Sequence, residues 1–350
     1  MRIAQVSPLI ESVPPRLYGG TERIVSYLTE ELVRKGHDVT LFASGDSQTS
    51  AKLVAAAPQA LRLDPSIQDP LPYIALQLEQ VRRRAADFDV LHFHTDLIHL
   101  PLVHALFGAR AVTTLHGRLD QSPYAAMFSE CADAPFVSIS DAQRAPIAWA
   151  KWLGTVYHGL PPSVCEFEPR PRGDYLAFLG RMSPEKRPDR AIEIAARSGV
   201  KLKIAAKVDE RDLPYFREHV QPLLAHRHVE FVGEIGERDK AAFLGNARAL
   251  LFPIDWPEPF GLVLIEAMSC GTPCIAWRTG SIPEVVDDGV TGFIVGSVDE
   301  AARAVARLGL IDRYAVRTRF KRRFSVERMA NDYLRIYAQL DEIDADRAAA

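Results

Sequence analysis

Short apolar runs alternate along the chain with longer stretches whose apolar residues recur at helical spacing. The pattern predicts strands at 3–6 and 39–42 around a helix over 20–35. A helix near 71–86 precedes a strand at 90–93, and another near 97–107 precedes one at 111–115. Strands at 136–139 and 155–157 complete this series. Unbroken Val, Ile, Leu and Phe runs separated by helices belong to parallel sheets covered on both faces. After a Pro-rich interruption between Leu160 and Gly173 the alternation restarts. Strands are predicted at 175–179, 202–206, 229–232, 249–252, 274–277 and 293–295, with helices over 187–198, 237–246 and 262–270. An amphipathic helix over 326–342 closes the chain.

The pattern predicts an α/β chain of two Rossmann-like, doubly wound domains facing each other across an interdomain cleft. The expected division is 1–160, a linker at 161–173, a second domain at 174–325, and a C-terminal helical segment at 326–350. A length of 350 residues fits two such cores better than one. In doubly wound sheets ligands sit outside the carboxyl ends of the strands.

Composition removes several classes. With 47% hydrophobic and 25% charged residues, disorder and collagen are out. The formal net charge of −3 offers no global field for nucleic acid. Four scattered cysteines make no disulfide framework and fit a reducing cytoplasm. Cys270 and Cys274, spaced C-x3-C without a second ligand pair, read as buried thiols flanking a turn rather than a zinc site. No apolar run is long enough to span a bilayer, and the first residues read as strand and turn, not as a signal peptide. A basic segment carries Arg313, Arg317, Arg319, Lys321, Arg322 and Arg323. It reads as a solvated helical face, with weak contact to a membrane surface as the alternative.

The chemistry concentrates in four places. Glu258 lies in a loop after a predicted strand, and Phe260, Gly261 and Leu262 open the next helix. Free amides at a helix start suit a phosphate, Gly261 lets backbone approach a ligand, and Glu266 can take two hydrogen bonds from a vicinal diol such as a ribose. Arg181 and Lys186 flank a turn after another strand and can converge on one anion, offsetting a diphosphate without a metal. The pair Gly19 and Gly20, in Leu17-Tyr18-Gly19-Gly20, gives a further phosphate-approach turn; neither G-x-G-x-x-G nor a Walker sequence is present. His116 ends a strand of the first domain, where a substrate role and a plain rim role are both open. His92, His94, His99 and His104 lack a carboxylate or Cys at ligand spacing, so no metal is assigned. Asp87-Phe88-Asp89 spells D-x-D, but at a helix end before a strand, and is read as surface punctuation.

These pieces, in this order, resemble the retaining glycosyltransferases of family 4, which have the GT-B fold. The most specific stretch runs from Glu258-Pro-Phe-Gly through Glu266-Ala-Met and Gly271-x-Pro273 to Gly280-Ser-Ile-Pro-Glu and Thr291-Gly-Phe. The resemblance implies that Glu258 meets hydroxyls of the donor sugar and Glu266 holds the nucleotide ribose. It implies that amides around Phe260, Gly261 and Leu262 meet sugar and diphosphate, and that Arg181 and Lys186 neutralise the leaving group. Gly19 and Gly20 would approach the phosphates, His116 would line the reacting sugar, Val232 and Gly233 would flank the base, and the C-terminal helix would cross back onto the first domain. Two departures stand out: His158-Gly159 where the family often has Asn-Gly, and Arg187-Pro188 where its Lys is often followed by Gly.

The expected activity is metal-independent transfer of a sugar, with retention, from a nucleotide-diphosphate sugar to an acceptor hydroxyl. The nucleotide sugar is a substrate, and no cofactor is expected. A UDP-sugar is favoured over GDP-mannose. The acceptor is a glycan, a lipid-linked species or a small metabolite. Competing readings are a sugar-nucleotide epimerase or phosphorylase, and a non-catalytic nucleotide-sugar-binding protein.

Overall fold

The computed structural model describes residues 1–16, 19–102, 110–164 and 166–349. Leu17, Tyr18, His104, Cys165 and residues 103–107 of the expected helix 97–107 lie outside them; of its described part, Leu100–Leu102 form a helical turn. The chain divides into two units, Met1–Gly159 with Val326–Ala350, and Leu160–Ser325.

The first unit is a seven-stranded parallel sheet. Its strands are β1 (Arg2–Val6), β2 (Asp38–Ser44), β3 (Lys52–Ala57), β4 (Val90–Phe93), β5 (Ala111–Thr114), β6 (Phe136–Ser138) and β7 (Trp152–Thr155). Their order is β3-β2-β1-β4-β5-β6-β7. β3 was not expected, because Lys52-Leu-Val-Ala is a partly exposed edge with little continuous apolar signal. β7 falls three residues before its expected start: Gly154 interrupts its pattern, and Trp152 packs on Phe136. A helix at Ser122–Glu130 was also not read from the sequence.

The two faces of this sheet differ chemically. Ala4, Val6, Leu91, Phe93 and Ala111 share one apolar core with Leu78 and Val81 of the helix Leu71–Arg84. The alternate residues of the central strands are polar, and Gln5 sits beside His92 in register. Gln5, His92, His94 and Thr114 are nonetheless fully buried. The C-terminal helix, Val326–Ala349, covers them and brings Tyr333 and Tyr337, whose hydroxyls supply hydrogen bonds. Buried polar groups are tolerated only when paired, so the polar strand face and the two tyrosines require each other.

The second unit is a six-stranded parallel sheet of β8 (Tyr175–Arg181), β9 (Lys201–Lys207), β10 (Val229–Gly233), β11 (Ala249–Phe252), β12 (Cys274–Trp277) and β13 (Gly292–Val295). The order is β10-β9-β8-β11-β12-β13. β11 and β12 are buried along their whole length, which explains their unbroken apolar sequences. Residues 160–173 run within this unit, where Glu168 and Gly173 donate backbone bonds to Cys270 and Asn246. The helix Val298–Ala306 was not anticipated from the sequence.

The basic segment forms the helix Arg313–Arg323, and much of its charge turns inward. Arg313 donates to the carbonyls of Glu168, Ala247 and Gly245 and to Thr272 Oγ1, between 2.7 and 3.0 Å. Arg317 reaches the Ser269 carbonyl, and Arg323 pairs with Asp287. Arg313 and Arg317 cap the carboxyl ends of the helices Glu237–Gly245 and Leu262–Ser269, where carbonyls lack intrahelical donors. The solvated-face reading therefore fails for Arg313, Arg317 and Arg323.

Arg313→Ala leaves several buried carbonyls unpaired at about 1–3 kcal/mol each, so denaturant unfolding of the second unit should lose roughly 3 kcal/mol. Arg313→Lys should recover little of it, since an ammonium cannot fork across several acceptors.

His92, His94, His99 and His158 are buried, and desolvation pulls each below its usual pKa, His99 to about 3. Neutral when folded, they take up protons on unfolding once the pH falls below about 6.5. The unfolded chain then binds more protons, so stability falls with acidification, approaching about 1.4 kcal/mol per pH unit for each histidine. Thermal unfolding should show Tm falling progressively from about pH 6.5 towards pH 3, with little change above that range. His99→Gln should flatten the acid slope; an equal slope in the variant contradicts the assignment.

Candidate functional site

The strand order of the second unit reverses between β8 and β11, and loops leaving such neighbours in opposite directions open a crevice at their carboxyl ends. Arg181 is the last residue of β8, and the Glu258 loop follows β11. Lys186, in the turn after β8, puts Nζ 2.5 Å from Glu258 Oε2. The same oxygen accepts from Trp256 Nε1 at 2.8 Å, and the ammonium lies 4.8 Å over the Trp256 ring. Asp255 N–H donates to the Glu185 carbonyl at 2.9 Å, so backbone as well as side chains tie the two loops together.

The backbone of Glu258 rests on the turn after β12. Ser281 N–H donates to its carbonyl at 3.0 Å, and Thr279 Oγ1 donates to the Trp256 carbonyl at 3.2 Å. Gly280 is at φ +51, and a Cβ there would stand 2.4 Å from Glu258 O and 2.5 Å from its N. Only glycine fits. The chain then passes the buried Phe260, whose carbonyl accepts from Ser281 Oγ, and turns into the helix Leu262–Ser269 through Gly261 at φ +85. Glu266, 5% exposed, is paired with Lys240 Nζ at 2.8 Å. Lys240 comes from a separate helix, Glu237–Gly245, and offsets the cost of burying a carboxylate in an apolar run.

Arg181 is buried among three acids, Glu185 at 2.6 Å and Asp209 and Asp212 both at 3.5 Å. Burial pushes the Asp212 carboxyl up, whereas a hydrogen bond from Lys207 holds Asp209 down. Arg181 and Lys186 do not share a partner here; each holds its own acids. Arg181 Nε and Ser183 Oγ are buried without a hydrogen-bond partner among the described residues, and both can donate. The Arg187 departure also has an account. Arg187 is at φ +53, a conformation that glycine adopts without strain, and its guanidinium pairs with Asp189 and Asp255.

In the first unit, Gly19 and Gly20 open the helix Gly20–Arg34, whose first turn carries the buried Glu22. Burial beside Glu11 pushes the Glu22 carboxyl up. His116 follows β5, half-buried, with Nε2 2.9 Å from His94 Nδ1 and its ring stacked on His158 at 5.4 Å between centroids. The His-Gly departure thus supplies a ring against His116. Val232 and Gly233 end the edge strand β10, Val232 being exposed. Asp89 of the D-x-D sequence pairs with Arg2, and Cys270 and Cys274 are buried free thiols. Among the described residues no group of three His, Cys, Asp or Glu is placed to hold a metal ion.

Sequence reasoning missed Gly280, Lys240, Asp209, Asp212 and Trp256 as parts of this site. Gly280 stood in the quoted signature, and its spacing after Glu258 was the available signal.

Residues 166–323 match the family "Glycosyl transferases group 1", and residues 18–145 match "Glycosyltransferase Family 4". Between them the two matches leave only the chain ends and one short segment. The chain belongs to glycosyltransferase family 4. It is 28% identical to the phosphatidyl-myo-inositol mannosyltransferase of Mycobacterium leprae over 96% of both chains. Among solved structures it resembles AviGT4, a glycosyltransferase involved in avilamycin A biosynthesis, with TM-score 0.74, 24% identity and 97% of both chains covered. HepE of Anabaena, in complex with UDP and glucose, aligns with TM-score 0.73 and 19% identity over 97% of this chain and 100% of that one. The fold of this glycosyltransferase is GT-B, and the enzyme is of the hexosyltransferase class. Among the described residues no helix is long and apolar enough to cross a membrane.

Gly280→Ala in this glycosyltransferase should displace Glu258, because backbone atoms cannot yield as a side-chain tip can. If Glu258 meets the transferred sugar, as the resemblance implies, turnover should fall by about tenfold or more, while the stability loss stays near 1–3 kcal/mol. Steady-state rates normalised to the folded fraction test this; an unchanged rate removes the support role from Gly280.

Proposed function

We propose that this enzyme transfers a hexose from a nucleotide-diphosphate sugar to an acceptor hydroxyl, with retention and without a metal ion. The observation that carries the reading is the Lys186–Glu258 contact beside Arg181 at the strand reversal of the second unit. As the glycosidic bond to phosphate breaks, negative charge grows on the diphosphate and positive charge on the sugar ring. Arg181, Lys186 and the amides of Phe260, Gly261 and Leu262 are assigned to the diphosphate; such preorganised donors typically contribute roughly 3–4 kcal/mol each. Glu258 and His116 are assigned to the transferred sugar, Glu266 to the ribose, and Val232 and Gly233 to the base. Gly19 and Gly20 are assigned to the phosphates. Two cations supply what a divalent metal would otherwise supply.

UDP is the favoured nucleotide, supported by the UDP and glucose bound to HepE. GDP-mannose is the competitor, and the named mannosyltransferase relative keeps mannose in view. The acceptor is assigned only as a hydroxyl compound, with inositol lipids among the candidates from that relative. A cytoplasmic location, where thiols such as Cys131, Cys270 and Cys274 stay reduced, fits this chemistry.

Thermal stabilisation by UDP, GDP, ADP and their sugar conjugates, with and without EDTA, tests the donor reading. A ligand at 100 times its Kd stabilises by about 2.7 kcal/mol. One nucleotide should shift Tm regardless of EDTA, and Glu266→Ala and Arg181→Ala should abolish the shift. A shift that EDTA removes overturns metal independence; no shift with any nucleotide overturns the donor site. The anomeric configuration of the product, read by NMR, tests retention.

A further inference from the structure

A continuous hydrogen-bonded chain runs under the C-terminal helix of the first unit and ends on His116. His116 Nε2 meets His94 Nδ1 at 2.9 Å, and His94 Nε2 meets Gln5 Oε1 at 2.9 Å. Gln5 Nε2 donates to Tyr337 Oη at 3.1 Å, which meets His92 Nδ1 at 2.8 Å. His92 Nε2 meets Thr114 Oγ1 at 2.7 Å, and Thr114 meets Tyr333 Oη at 3.0 Å. Gln5, His92, His94 and Thr114 are wholly buried, so water cannot substitute for any of these partners.

An amide is the one member of this chain whose two ends cannot exchange roles: its oxygen only accepts and its nitrogen only donates. Gln5 Oε1 therefore requires a proton on His94 Nε2. A neutral His94 then has a bare Nδ1, which must accept, so His116 carries its proton on Nε2. The His116 ring is neutral, held well below its usual pKa by desolvation. Its Nδ1 is left as a lone pair. Turning the Gln5 amide over reverses each step and would put the His116 proton on Nδ1.

We propose that Gln5 is a positioning residue that sets the tautomer of His116 through His94, leaving His116 Nδ1 as a hydrogen-bond acceptor for a hydroxyl of the transferred sugar. This rests on the assignment of His116 to that sugar. Gln5, buried near the carboxyl end of β1, has no need to touch substrate to act.

The test is long-range proton–nitrogen NMR of the full chain labelled with 15N-histidine, which reports which ring nitrogen is protonated; His116→Gln serves only to identify its signals. The wild type should show His94 and His116 both protonated at Nε2. Gln5→Met removes the acceptor, so the His116 proton should move to Nδ1, and kcat should fall about tenfold, the size of one lost hydrogen bond, while donor KM changes less than about twofold. Gln5→Glu keeps an acceptor for His94 and should retain the wild-type tautomer. Tyr337→Phe, which removes the anchor of the amide nitrogen, should give a mixture of tautomers and serves if Gln5→Met does not fold. A proton on His116 Nδ1 in the wild type, or an unchanged tautomer in Gln5→Met, overturns the proposal. A tautomer switch with unchanged kcat overturns the role given to the His116 lone pair, while product formation by the wild type checks the transferase reading separately.

Discussion

The contact between Lys186 and Glu258 is the constraint on which the candidate site depends. β8 and β11 are hydrogen-bonded neighbours whose following loops depart in different directions, and an ion pair at 2.5 Å brings those loops back together. Both groups are largely withdrawn from water, which would be costly for either alone. The Trp256 indole N–H on the acid and the ring faces of Trp256 and Phe252 under the cation complete their environment. If Lys186 meets diphosphate and Glu258 meets sugar, as proposed, the two halves of the donor cannot bind independently. An anion that draws Lys186 away frees the Glu258 oxygen that a sugar hydroxyl needs.

The same device recurs throughout the second unit. Glu266 is held by Lys240, Arg181 by three acids, and Arg187 by Asp189 and Asp255. Each of these charged groups already has a protein partner of opposite sign. Such pairing keeps buried charges affordable in the unliganded enzyme and sets a threshold for the ligand, which must do better than a well-placed carboxylate. It also explains a weak point of reading charge along a sequence. Arg181 and Lys186 lie five positions apart and invite a shared anion, yet the acids that hold them apart are Glu185, which lies between them, and Asp209, Asp212 and Glu258, which are distant in sequence.

What was legible in the sequence follows from this distinction. Central strands such as Val90–Phe93 and Ala249–Phe252 are buried on both faces and carry unbroken apolar runs, so their bounds could be read directly. The edge strand Lys52–Ala57 and the Gly-interrupted Trp152–Thr155 carry no such run. Glu258, Gly261 and Glu266 were visible because strand end, turn and helix start are consecutive. Lys240 was not, because its role is defined by a helix packing beside another. The arginines of 313–323 looked like a solvated face since sequence shows charge but not the carbonyl ends that receive it. The buried histidines were the hardest case. Polar residues alternating on central strands contradict the usual rule for a parallel sheet, and the partners that make them tolerable include Tyr333 and Tyr337, more than two hundred residues away.

The two units divide the electrostatic work of the proposed reaction. In the second, Arg181 and Lys186 are full cations, suited to negative charge growing on a diphosphate. In the first, desolvation keeps His92, His94, His116 and His158 neutral well below their usual pKa. A protonated imidazole beside a sugar ring that is losing its leaving group would oppose the positive charge developing there. A neutral ring with a lone pair does not; it accepts a hydroxyl proton and can favour that charge. In the proposed reaction, a polar strand face buried beneath a tyrosine-bearing helix would serve the chemistry as well as the packing, by keeping cationic histidine away from a sugar that must itself become cationic.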